Sequence, residues 1–126
     1  SLYGRGRVSC PFFVLCGGWA AETEETDMQE RVGTFLREND MLCGAAARCL
    51  DLASETGEVA KEILRGMDYG KRPYTPTPET AEELGDCLFS LLALCCELDV
   101  DAEGALSGAL EKYGARLRRK GDAGSR

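Results

Sequence analysis

DLASETGEVAKEILRGMDYG (51–70), KRPYTPTPET (71–80) and AEELGD (81–86) form one continuous stretch whose reading decides the fold. Its two ends are helical and rich in acids. Its middle is a loop, because Gly70 and the prolines at 73, 76 and 78 leave no room for regular structure there. At about 100° per residue, Asp51, Glu55, Glu58 and Glu62 fall within about 60° of one another on the first helix. Glu83 and Asp86 form a second acidic pair at i, i+3. A solvated helix face usually sets Glu against Lys or Arg three or four positions on. Here Asp51 meets Glu55 and Glu58 meets Glu62 at i+4, each pair costing roughly 0.2–0.5 kcal/mol on an exposed helix. Lys61 pairs favourably with Glu58 but cannot neutralise the set. Such clustering makes sense if divalent cations sit among the acids.

Outward from that stretch, the helical pattern continues in both directions. Asp27 is placed to cap a first helix, with Glu30 completing a box-like pattern. Met28, Val32, Phe35 and Leu36 form its apolar stripe, and it ends near Glu38–Asp40. The second helix opens near Leu42 or Gly44 and stops at Gly66 or Met67. Thr77 followed by Pro78 reads as an N-cap with proline in the first turn, opening a third helix that reaches about Leu98. Its CLFSLLALCC segment (87–96) is apolar on nearly all faces, as expected for a central helix or one at a subunit interface. Asp101 caps a fourth helix, whose periodicity turns Leu106, Leu110 and Leu117 inward. The expected fold is all-α, an antiparallel four-helix bundle (28–120) with an N-terminal arm or extension (1–27) and a short tail (121–126). The arm holds Trp19 and a short apolar run, Phe12–Leu15, that suits a strand or a contact with a partner subunit.

Composition narrows the function. A chain of 126 residues with 44% hydrophobic content suits one domain whose core is completed by oligomerisation, as homodimer or homotetramer. The net charge of -7 argues against a nucleic-acid polymer as partner, since phosphate contacts come mainly from Lys and Arg. No membrane span is expected. Seven cysteines without a CxxC pair, and no histidine, argue against zinc and fit a reducing, cytoplasmic setting. Cys43, Cys49, Cys87 and Cys95 read as small hydrophobes within apolar helical patterns. Oxygen-only ligands fit a hard ion, Mg2+ with Mn2+ as substitute.

SETGEVAKE (54–62) followed by EELGD (82–86) resembles the MazG-like nucleotide pyrophosphohydrolases, whose signature is EExxE, a variable gap, then ExxD. The resemblance spans roughly residues 28–119. It implies an all-α oligomer that hydrolyses a nucleoside triphosphate, non-standard or surplus, to the monophosphate and pyrophosphate with Mg2+. It also implies that Glu55, Glu58, Glu83 and Asp86 are the metal ligands. Ser54 stands where the signature has its first Glu, as in the dCTP-preferring branch, which also lacks an acid there. The general base then falls to Glu62, one turn on, or to hydroxide formed from water on the cation, with Glu58 counted as catalytic through its metal ligation. Lys112 and Arg116 on the last helix, with Lys61 beside the acids, are the phosphate-binding candidates. For Lys112 and Arg116 the plain alternative is cations favoured by a helix C-terminus. Phe35 and Leu36 either line a base pocket or form ordinary core. Two other readings stay open: an enzyme resembling phosphoribosyl-ATP pyrophosphohydrolase, and a catalytically inactive nucleotide-binding or helical interaction protein.

Overall fold

The computed structural model describes residues 27–121, and within them the chain is helical throughout, with no strand. Its elements are α1 (Met28–Glu38), α2 (Ala45–Gly66), α3 (Pro78–Glu97) and α4 (Ala102–Lys120). The starts of α1 and α3 have a local cause. Asp27 accepts the Gln29 amide at 2.9 Å; the expected Glu30 is not its partner. Thr77 caps α3 with Pro78 following it, and its backbone N–H donates to the Thr80 hydroxyl at 3.1 Å. At the far end, Gly121 takes a left-handed conformation (φ 75°) and donates to the Leu117 carbonyl, a helix stop that a side chain would strain.

The α2–α3 hairpin is the centre of the fold, and α1 also packs against α3. That explains why α3 is apolar nearly all round. Leu36, Leu92 and Ala93 are buried where these helices meet. The connection between α2 and α3 is folded back onto α2. Tyr74 lies so close to Gly66 that a Cβ there would overlap its ring, and its hydroxyl bonds to Thr80. The loop is therefore held at both ends.

The fourth helix departs from expectation. Leu106, Leu110 and Leu117 are not inward: they are 52%, 61% and 50% exposed, and α4 buries no residue at all. Periodicity marks an apolar face correctly, but it cannot say which surface covers it, and α1–α3 do not. The first turn of α4 is nevertheless fixed. The Gln29 amide donates to the Val100 carbonyl at 2.6 Å and accepts the Ala102 N–H at 2.8 Å. The thiols are also less buried than expected. Cys43 and Cys49 are free and exposed, and Cys43 lies in the α1–α2 connection, where Glu97 accepts its backbone N–H. Among the described residues no helix is long and apolar enough to cross a membrane. The expectations for the arm, Trp19 and Phe12–Leu15 among them, and for the tail beyond Gly121 lie outside the described residues.

Candidate active site

The two acidic segments meet across the α2–α3 hairpin. Glu55 from α2, and Glu83 and Asp86 from α3, each place a carboxylate oxygen within 4.8 Å of the others. The spacing explains it. Glu83 and Asp86, one turn apart, lie on the α3 face that meets α2, and Glu55 comes from the facing turn. Burial raises the Glu55 pKa above its ordinary value, and the charges of Asp86, Asp51, Glu83 and Glu58 raise it further. Below that raised pKa a cation must expel the Glu55 proton in order to bind, so affinity should climb as pH rises through the carboxylate range. Three converging carboxylates without an intervening base fit a hard divalent ion, and no histidine or thiol competes for it within the group.

The remaining acids divide. Glu58 is exposed, outside the three-carboxylate group, and lies 3.8 Å from Lys61. Glu62 is buried, accepts the Thr77 hydroxyl at 2.9 Å, and its other oxygen is 3.7 Å from Arg65. Asp51 pairs with Arg48 at 3.4 Å and also accepts the Ser90 hydroxyl at 3.0 Å. Lys112 and Arg116 flank the Tyr113 ring on α4, 5.0 and 5.7 Å from its centroid. No ion pair among the described residues links either to the acids. The structure thus gathers three of the four expected metal ligands.

A groove of about 630 Å³ opens between α1 and α3, lined by Met28, Arg31, Val32, Phe35, Gly85, Leu88, Phe89 and Leu92. Phe35 and Phe89 meet edge to face at 6.0 Å. Of the two residues raised for a base pocket, Phe35 lines this groove at 49% exposure, whereas Leu36 is core. Gly85 lies between Glu83 and Asp86 in sequence, so the groove reaches the helix segment that carries two of the acids. Phe89 and Ser90 were not singled out from the sequence. A lone serine inside FSLLALCC is the signal that could have found the second, because a hydroxyl in a buried run needs a partner.

Residues 46–119 match the family model of the MazG nucleotide pyrophosphohydrolase domain. The uncharacterized protein YpjD of Bacillus subtilis (strain 168) is 35% identical over 68 residues, 52% of this chain. The match spans 60% of that relative's length. No solved structure gives a significant match.

Proposed function

The chain belongs to the MazG nucleotide pyrophosphohydrolase family, and from that premise we propose that it hydrolyses a non-standard or surplus ribo- or deoxynucleoside triphosphate to the monophosphate and pyrophosphate. The observation that carries this reading is the convergence of Glu55, Glu83 and Asp86 within 4.8 Å. These carboxylates would hold Mg2+, with Mn2+ as substitute, and Glu58 would join them by turning from Lys61. When bound, the cation offsets phosphate charge and lowers the pKa of water. The chain's own part is to fix the triphosphate beside the acids and to shield the base from water. Phe35 and Phe89 offer apolar faces for a base, in a groove within the usual size range for small ligands of about 300–1,000 Å³. Lys61 is the cation nearest in sequence to the acids and would meet a phosphate once Glu58 turns away.

The same reading takes the enzyme to be a cytoplasmic homodimer or homotetramer. The apolar face of α4, with Leu106, Leu110, Tyr113 and Leu117 all at least 42% exposed, supports it. Leu106, Leu110, Tyr113 and Leu117 recur at the four-three spacing of a helix-pairing seam. Lys112 and Arg116 border that seam, so pairing would decide where they point. Sedimentation velocity should give an assembly of two or four chains, and Leu110→Glu should shift it to monomer. A wild-type chain that sediments as a monomer would refute the assembly.

The enzyme reading is tested by a panel of ribo- and deoxynucleoside triphosphates with Mg2+, with phosphoribosyl-ATP among them. Pyrophosphate should appear from at least one nucleoside triphosphate and only with a divalent cation. Turnover of phosphoribosyl-ATP alone would move the assignment to that activity. Magnesium-dependent nucleotide binding without any pyrophosphate would leave a silent binding protein.

A further inference from the structure

Among the described residues, three polar or charged side chains are buried: Arg48, Glu62 and Ser90. None is in the acid group, yet Ser90 and Glu62 each take part in a polar bridge between α2 and the start or body of α3, and Arg48 supports one of those bridges from α2. At one end Ser90, 1% exposed, donates to Asp51 at 3.0 Å, and Arg48 steadies the same carboxylate oxygen. At the other end Thr77 donates to Glu62, 8% exposed, at 2.9 Å. Glu55 lies between Asp51 and Glu62 on α2, and Glu83 and Asp86 lie between Thr77 and Ser90 on α3. The bridges therefore bracket the acids on both helices.

We infer that these two bridges are positioning devices: Asp51–Ser90 and Glu62–Thr77 hold α2 and α3 at the spacing that keeps Glu55, Glu83 and Asp86 converged before a cation arrives. The physical need is plain. Carboxylates this close repel, and two helices joined only by apolar contacts can slide or splay to separate them. Directional hydrogen bonds to charged acceptors resist such sliding, because a shift would strand the buried Ser90 hydroxyl at one end and the buried Glu62 carboxylate at the other. Residues that hold metal ligands in place commonly govern affinity as strongly as some ligands do. The inference also gives Glu62 a role other than the general base. Its two oxygens face Thr77 and Arg65, and its bond is to the residue that starts α3. Thr77 is anchored in turn by the contact of its amide with Thr80. This rests on the metal reading above, and the test separates the two.

The probe is Mn2+ alone, titrated by calorimetry into the full chain, with thermal melts as the folding control. Thr77→Val and Ser90→Ala should each weaken Mn2+ binding, and together by about 10–100-fold, in proteins still folded at the titration temperature. Thr77→Ser keeps the hydroxyl and should restore affinity to within about twofold. Glu62→Gln keeps an acceptor for Thr77 and should bind Mn2+ far better than Glu62→Ala. Wild-type affinity in the folded Thr77→Val/Ser90→Ala variant overturns the bridges while leaving the metal reading intact. Equal loss of turnover in Glu62→Gln and Glu62→Ala, with Mn2+ affinity unchanged in both, overturns them in favour of a base. A wild-type protein that binds no Mn2+ overturns the metal reading and the bridges with it.

Discussion

Replacing Glu83 with Gln should lower triphosphate hydrolysis by about 10²–10³-fold while raising the melting temperature of the metal-free protein. The two effects have one cause. Glu83 supplies one of three carboxylates that converge within 4.8 Å, and Gln keeps its shape without its charge. With the charge gone, a hard cation loses an anionic ligand, and the loss falls on whatever stabilisation the cation gives the reaction. Without a cation the same charge is a liability, since Glu83 is among the neighbours that raise the Glu55 pKa. Removing it relieves that repulsion and eases ionisation of Glu55. Opposite signs for activity and metal-free stability are what a charge cluster built for a ligand should show. Melts with and without Mg2+, run beside the hydrolysis assay, check both. A Glu83→Gln protein with near-normal turnover, or one that melts lower without metal, would not fit this account.

The second large effect lies outside the acid group. Arg48→Ala should destabilise the fold by about 2–4 kcal/mol, the sum of a charged donor's hydrogen bond and a cation–π contact. The guanidinium is 7% exposed and donates to the Met41 carbonyl at 2.7 Å. It also sits 5.7 Å from the centroid of Phe89. The hydrogen bond fastens the α1–α2 connection to α2, and the ring contact joins α2 to α3. The ion pair with Asp51 adds little to this sum, because the Asp51 side chain is 41% exposed and water screens it. Arg48→Met should lose less, since it keeps packing over the ring without the hydrogen bonds. Urea unfolding at one fixed protein concentration measures both variants. A change below about 0.5 kcal/mol for Arg48→Ala, within the range of ordinary surface substitutions, would contradict the role.

The helices were legible because their boundaries are set locally. Asp27 and Thr77 with Pro78 cap the starts of α1 and α3, where local hydrogen bonds and dihedrals decide the outcome; Asp101 stands at the N-cap of α4 as expected but its side chain makes no capping bond. The acid group was legible for a related reason: like charges at helical spacing are costly, so their persistence is itself a signal. What stayed hidden depends on how one helix lies on another. Glu62 and Glu58 look alike in sequence, yet one is bonded to Thr77 and the other faces solvent beside Lys61. Phe35 and Leu36 are neighbours on an apolar stripe, and only packing separates a groove wall from core. Leu106, Leu110 and Leu117 carry a clear period, but no period names the surface that covers them. The α1–α3 groove likewise needs three dimensions, since Phe35 and Phe89 are 54 positions apart.

The central claim is that the α2–α3 acids hold a divalent cation to split a nucleoside triphosphate into monophosphate and pyrophosphate. Phosphorus NMR of the products, with a turned-over triphosphate and Mg2+, tests it most directly. The account predicts nucleoside monophosphate and pyrophosphate in equal amounts, with no reaction when the cation is chelated. Diphosphate with inorganic phosphate, or the same products in the presence of a chelator, would contradict it.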